Sequence, residues 1–227
     1  MDNAWIAENL QNALDTWDEK LTEIWQLLTV SPAEFRDGRI WEIIKNINGI
    51  LAAFGAALTV LFFFLGVFRT AGSLEELRRP EAAVKLFLRF VAAKALVTHG
   101  MELMNAMFGI FQGMLAGVMG TAAPGGGKTV LPDEIKAMLA EAGTFSSIPL
   151  WAVSLIGCLA VTIVSFILIL TVYGRMFRLY MYTAISPIPL STIAGEPTAG
   201  IGYSFLKSYC GVLLEGVAIA LACLIFS

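Results

Sequence analysis

The chain has 227 residues, of which 57% are hydrophobic and only 15% charged, and its mean hydropathy is +0.75. This composition excludes an ordinary water-soluble domain, and the net charge of −3 argues against a surface that neutralises nucleic-acid phosphates. Cys158, Cys210 and Cys223 lie in apolar stretches without the spacing of a disulfide framework or a metal site. The sequence therefore predicts a membrane protein that needs no cofactor and no metal.

Residues 1–45 are predicted to form an acidic, amphipathic N-terminal helical segment. One apolar stripe recurs at steps of three and four residues, through Leu10, Leu14, Trp17, Leu21, Ile24 and Leu28. The opposite face is acidic, whereas helices that lie on lipid usually carry Lys and Arg there. A protein partner is thus favoured over bare lipid for this helix. Ser31 and Glu34 then predict a capping box at the start of the helix that leads into the first span.

Residues 46–227 are predicted to form a transmembrane helical domain. Its first span, about 47–68, lies in an uncharged run of 23 residues, enough to cross a hydrocarbon layer of roughly 30 Å. Further spans are predicted at about 92–120, within 142–174 and at about 208–226. A short segment, 179–195, contains Pro187 and Pro189 and is either a bent span or a re-entrant piece. The predicted fold class is all-α and polytopic, with four to five spans after the amphipathic helix.

The orientation in the membrane is predicted from the distribution of Lys and Arg. The connection 69–89 and the junction that carries Arg175 and Arg178 are the basic stretches, so both are assigned to the cytoplasm. This assignment places the N-terminus outside. Because the chain stops at Ser227, at the edge of a span, we expect the sequence to be truncated at its C-terminus.

Four ionisable residues fall inside predicted spans: Lys94, His99 and Glu102 in the second and Glu215 in the last. Such residues are costly in lipid and usually face a bundle interior or water. Either they form an intramembrane polar cluster that relays protons or ions, or they pair between helices, as Glu215 could with Lys94.

Two other patterns suggest structural elements of the membrane domain. Gly109, Gly113 and Gly117 recur every four residues and predict a packing seam, either inside the chain or between copies. Arg175, Arg178, Pro187 and Pro189 predict a broken-helix element with two cationic side chains beside it.

Enzymatic motifs are absent or incomplete. The stretch 125–129 resembles a phosphate-binding loop, but Ala122 stands where the first glycine of the motif is required. Glu75, Glu76, Arg78 and Arg79 lack the spacing of intramembrane proteases, and His99 has no nucleophile near it in sequence. We therefore predict that the chain is not an enzyme and has no catalytic residues.

The stretch 173–190, with YGRMFRLYMYTAISPIPL, resembles the TrbL-like polytopic membrane proteins of conjugative type IV secretion systems. Supporting stretches lie at 41–49, 79–81, 147–153 and 194–197, so the resemblance covers roughly 40–227. It is closest to the branch found in integrative conjugative elements of Gram-positive bacteria.

The resemblance implies a channel or scaffold subunit in the cytoplasmic membrane. Its implied partners are the other membrane subunits and the ATPases of a conjugation machine, membrane lipid, and other copies of the same chain. Contact with DNA is expected to be indirect or confined to Arg175 and Arg178. Two alternatives remain: a small-molecule or ion permease that uses Lys94, His99, Glu102 and Glu215, and a membrane scaffold that transports nothing.

Overall fold

The computed structural model describes residues 4–71, 80–120, 129–141 and 147–225, and within these ranges the regular secondary structure is entirely helical. The all-α prediction is therefore confirmed. In chain order the elements are α1 (Ala4–Thr29), a 3₁₀ turn (Phe35–Gly38), α2 (Arg39–Ala71), α3 (Pro80–Thr98), α4 (Gly100–Met119), α5 (Asp133–Glu141), α6 (Ser147–Ile185), α7 (Pro187–Ser191), a second 3₁₀ turn (Thr192–Ala194) and α8 (Ala199–Ile225).

Three of the described helices are long and apolar enough to cross a membrane: Arg39–Arg69 in α2, Trp151–Ile185 in α6 and Ala199–Ile225 in α8. They correspond to the first, third and last predicted spans. The predicted second span is divided between α3 and α4 and does not reach this apolarity, since α4 carries Glu102, Asn105 and Gln112.

The predicted junction around Arg175 and Arg178 is wrong, because both residues lie within the continuous helix α6. Arginine has a high helix propensity, and no proline occurs between Leu150 and Ser186 to end the helix. The predicted fourth segment, 179–195, is consequently the last part of α6 followed by α7 and the second 3₁₀ turn. With 39 residues, α6 is about 58 Å long at 1.5 Å per residue, well beyond the thickness of a bilayer.

The helix predicted to start at Ser31 begins instead at Arg39. Ser31 caps only a local turn, in which its side-chain oxygen accepts a hydrogen bond from the Ala33 amide at 3.3 Å. Asp37 and Gly38 then adopt left-handed backbone angles, with φ of 60° and 71°. A right-handed helix cannot continue through such residues, which accounts for the later start of α2.

By its contacts the chain forms two compact units, each built from separate stretches. Unit 1 comprises Met1–Thr29, Met114–Gly174 and Gly216–Ser227, and unit 2 comprises Val30–Gly113 and Arg175–Glu215. The core of unit 1 includes Leu21, Ile24 and Leu28 of α1, packed with Val172 of α6 and Ala220 of α8. The apolar stripe predicted for α1 is therefore confirmed.

In unit 2, α2 and α3 run antiparallel, with the rings of Phe63 and Phe90 at a centroid distance of 4.7 Å. Both helices pack against α7 and the second 3₁₀ turn, which are buried between them. Two hydrogen bonds from tyrosine hydroxyls join further elements: Tyr209 of α8 donates to the Met104 carbonyl at 3.1 Å, and Tyr180 of α6 donates to the Pro32 carbonyl at 2.8 Å.

The contacts of Tyr180 disagree with the predicted orientation of the chain in the membrane. Its ring also lies near Phe35 and Trp41, so the end of α6 adjoins the start of α2. Arg69 lies at the other end of α2, about 45 Å away at 1.5 Å per residue. The two basic stretches thus lie at opposite ends of α2, which disagrees with the prediction that they share one side of the membrane.

Candidate functional site: the interrupted helix of unit 2

The helical path that begins with α6 is interrupted at Ser186, between α6 and α7, because Pro187 has no amide hydrogen to donate. The Thr183 carbonyl, which would accept that hydrogen bond, accepts one from Asn48 Nδ2 of α2 at 2.7 Å. Asn48 Nδ2 also lies 3.1 Å from Ser186 Oγ, and Ser186 Oγ donates to the Thr183 carbonyl at 3.0 Å. A buried side chain from another helix therefore supplies the donor that the proline removes.

Hydroxyl groups add further hydrogen bonds to the interrupted segment, which we define as residues 186–198. Ser191 Oγ donates to the Ile188 carbonyl at 2.6 Å, and Thr192 Oγ1 donates to the Pro189 carbonyl at 2.7 Å. Thr198 Oγ1 donates to the Thr192 carbonyl at 2.7 Å. Buried backbone that leaves the regular helical pattern needs hydrogen-bond partners from protein or water. Here the segment from Ser186 to Gly195 is largely buried by protein.

Three glycines allow neighbouring backbone to approach the interrupted segment closely. A Cβ atom at Gly55 of α2 would lie 2.7 Å from the Pro187 carbonyl oxygen, and one at Gly202 of α8 would lie 2.9 Å from the Pro189 carbonyl oxygen. A Cβ atom at Gly195 would lie 2.8 Å from the Phe62 carbonyl oxygen. Any larger residue at these positions would push the backbones apart.

Arg175 lies about three helical turns before the interruption and Arg178 about two, and their environments differ. The Arg175 side chain is only 3% exposed; its Nε donates to the Val212 carbonyl at 3.2 Å, while Nη1 has no hydrogen-bond partner among the described residues. Arg178 is half-exposed and its Nη2 donates to Glu215 Oε1 at 2.6 Å. The two arginines and Glu215 thus carry a net positive charge two to three helical turns before the interrupted segment.

The four predicted intramembrane ionisable residues are not brought together into one cluster. His99 Nδ1 lies 2.9 Å from Glu102 Oε2, and both side chains are exposed. Lys94 is exposed on α3, and Glu215 pairs with Arg178 rather than with Lys94. A relay through all four residues is therefore not visible in the described part of the chain and stays a prediction.

The predicted glycine seam of α4 has no partner helix in the described residues. A Cβ atom at Gly109, Gly113 or Gly117 would meet no described atom within 4 Å. If these glycines pack closely, the partner lies outside the described residues.

Sequence reasoning identified Pro187 and Pro189 but missed Asn48, Gly55, Gly195 and Gly202, which complete the site. A signal for Asn48 was present, since an amide side chain inside an apolar span usually bonds to a neighbouring helix. The phosphate-loop stretch, apart from Thr129, and the charged residues Glu75, Glu76, Arg78 and Arg79 lie outside the described residues.

The fold and the site define a helical membrane protein with an interrupted helix buried among continuous ones. Residues 18–187, most of the chain, match the family model described as TrbL/VirB6 plasmid conjugal transfer like protein, and the chain belongs to this family. The family identifies it as a component of a conjugal type IV secretion system. The search of curated proteins and the search of solved structures returned no match. The resemblance seen in the sequence is confirmed at the level of the family.

Proposed function

We propose that the protein is a channel or scaffold subunit in the cytoplasmic membrane, within the machine that transfers DNA during conjugation. It assembles with other membrane subunits and with the ATPases of that machine, and with further copies of itself. It belongs to an integrative conjugative element of the Gram-positive type, as stretch 173–190 suggests, and its contact with DNA is indirect.

The observation that carries this proposal is the construction of the interrupted segment. Its carbonyl groups are bonded by the side chains of Asn48, Ser191, Thr192 and Thr198, in addition to the backbone bonds that remain. Side-chain hydrogen bonds allow a change of direction that a continuous helix does not. Such a segment suits a subunit whose helices must adjust to neighbouring subunits during assembly or transfer.

The direct test replaces Pro187 and Pro189 together with alanine and measures conjugal transfer and assembly in cells. Restored amide hydrogens favour a continuous helix through 186–191, so we expect transfer to fall while the protein still reaches the membrane. Pro197→Ala is the matched control, because Pro197 is exposed in the turn near the end of the segment. Unchanged assembly and transfer in the double variant would contradict the proposed role of the segment.

The permease alternative makes a different prediction. It requires proton-dependent flux in liposomes that Glu102→Gln abolishes. That result, together with normal conjugal transfer in cells lacking the protein, would overturn the proposed function.

A further inference from the structure

The helix α1 carries a polar stripe on the side opposite to its buried residues. Glu8, Asn12, Asp15, Glu19, Thr22 and Gln26 are all exposed and recur at steps of four and three residues. The stripe contains three carboxylates and no Lys or Arg. We use the name polar stripe for these six residues.

Contacts within unit 1 place α1 alongside the most apolar part of α6. The Asn9 carbonyl near the start of α1 accepts a hydrogen bond from Cys158 Sγ at 3.4 Å. Near the end of α1, Ile24 and Leu28 pack in one cluster with Val172. Residues 9–28 of α1 therefore run parallel to residues 158–172 of α6.

This part of α6 is suited to lipid. Residues 151–174 include no charged residue, and large apolar side chains are exposed along it, among them Ile156, Ile163 and Phe166. Since α1 lies beside these residues, the polar stripe is at the same depth. Carboxylates at that depth avoid hydrocarbon and face either water or a polar partner.

One flank of α1 favours water, and the other is bonded to protein. A groove of about 350 Å³ between α1 and α6 includes the polar residues Asn9, Asn12, Thr16 and Thr162. On the other flank, Asp18 accepts hydrogen bonds from the amide and the hydroxyl of Thr129, at 2.6 and 2.7 Å. The segment that follows Thr129 is non-helical, and Gln11 bonds to its backbone: the Gln11 amide donates to the Thr129 carbonyl and accepts from the Leu131 amide, at 3.1 Å each.

We propose that in the membrane the polar stripe and the groove beside it face water, so that this side of unit 1 borders an aqueous passage that attracts cations. The inference rests on the proposed channel role and adds the surface that forms the wall of the passage. A polar protein partner covering the stripe is the competing outcome.

The experiment measures the reaction of single cysteines with charged methanethiosulfonate reagents, on the full chain in native membranes. Asn12→Cys, Glu19→Cys and Thr22→Cys report the stripe; Ile156→Cys, Ile163→Cys and Phe166→Cys are controls on α6 at the same depth. Native cysteines are replaced by Cys158→Ser, Cys210→Ala and Cys223→Ala. Desolvation that raises a thiol pKa by about one unit leaves about tenfold less reactive thiolate, so we expect stripe positions to react at least about tenfold faster than the controls.

The sign of the reagent provides a second readout. Carboxylates of the stripe should make the trimethylammonium reagent react faster than the sulfonate reagent at Asn12→Cys and Thr22→Cys. Equally slow reaction at stripe and control positions would overturn the inference, because lipid or a partner then covers the stripe. Equally fast reaction at both would overturn it too, since α6 would then lie outside lipid.

A disulfide test shows whether α1 lies on α6 in the membrane. Asn9→Cys should crosslink to the native Cys158 under mild oxidation, whereas Gln26→Cys, at the other end of α1, should not. Failure of the first crosslink would overturn the inference. If the cysteine-free background does not accumulate, Cys158 in the wild-type chain serves as reporter, because it lines the groove; its failure to react with the cationic reagent would likewise count against water there.

The outcomes separate the inference from the proposed function. If the stripe is labelled but conjugal transfer proceeds without the protein, the aqueous surface is supported and the role in transfer is contradicted. If conjugal transfer requires the protein but the stripe does not react, the role in transfer is supported and the aqueous surface is contradicted.

Discussion

Gly55 lies where the backbone of α2 meets the interrupted segment, and it leaves no room for a side chain. Alanine there would place Cβ 2.7 Å from the Pro187 carbonyl oxygen, so the backbone must shift. We expect Gly55→Ala to lower the free energy of unfolding by about 1–3 kcal/mol, the usual cost of overpacking, and to lower the Tm in detergent.

Gly49→Ala is the matched control on the same helix, because a Cβ atom at Gly49 meets no described atom within 4 Å. Alanine favours a helix over glycine by about 1 kcal/mol, so this variant should be neutral or slightly more stable. Equal Tm values for the two variants would contradict the close contact at Gly55.

Arg175 is a buried guanidinium with one hydrogen bond through Nε and, among the described residues, none through Nη1. Burying such a group is costly, and an apolar side chain of similar length avoids the cost. We therefore expect Arg175→Met to unfold at the same or a higher temperature. A marked fall in Tm would contradict this description of the site.

The same variant separates structure from function. If Arg175→Met keeps its stability but loses conjugal transfer, the charge itself serves the machine. Arg178→Met is the comparison, because Arg178 forms a partly exposed ion pair with Glu215 that should contribute only about 0–1 kcal/mol.

At the scale of elements, the interruption between α6 and α7 depends on an amide that α2 provides. Asn48→Ala removes that donor and leaves the Thr183 carbonyl with the Ser186 hydroxyl alone, so we expect a loss of about 1 kcal/mol, the usual net contribution of one hydrogen bond. Pro187→Ala restores an amide hydrogen that can bond to the same carbonyl.

The double variant should therefore recover part of the stability lost by Asn48→Ala. Thermal or denaturant unfolding of the wild type, both single variants and the double variant gives a coupling free energy, which we expect to be about 1 kcal/mol. Strictly additive effects would mean that Asn48 does not replace the amide that Pro187 lacks.

The glycine seam of α4 is a separate element-scale proposal. Gly109, Gly113 and Gly117 have free space above them within the described chain, so Gly113→Leu should leave the subunit folded. If another molecule packs there, the purified assembly should become smaller or dissociate, as measured by native mass spectrometry. Met114→Leu is the control, because Met114 is exposed beside the seam; an unchanged assembly in Gly113→Leu would count against the seam.

Much of the helical architecture could be predicted from the sequence, because long uncharged runs have few stable alternatives in lipid. The proline pair likewise predicted the interruption after Ser186. Its partner could not be predicted by local reasoning, since Asn48 bonds to a carbonyl 135 residues away. The suggested pairing of Glu215 with Lys94 was wrong for a related reason: charge identifies suitable partners, but the packing of α6 against α8 selects Arg178.

At the scale of the whole molecule, composition and contacts divide the chain differently. Composition changes near residue 45, whereas the contacts form two units that each combine separate stretches, with α1 in unit 1 beside parts of α4, α6 and α8. Such grouping depends on long-range packing, which a linear reading of charge and hydropathy does not contain.

The central claim is that the protein is a membrane component of a conjugation machine. This claim rests on membership of the TrbL/VirB6 family and on the apolar helices. The most direct test is crosslinking mass spectrometry on the wild-type chain in its native membrane, extracted in mild detergent. Lys20 of α1 and Lys85 of α3 report which surfaces dock. We expect crosslinks to the conjugation ATPases and to other transfer subunits; a homo-oligomer without any of these partners would contradict the claim.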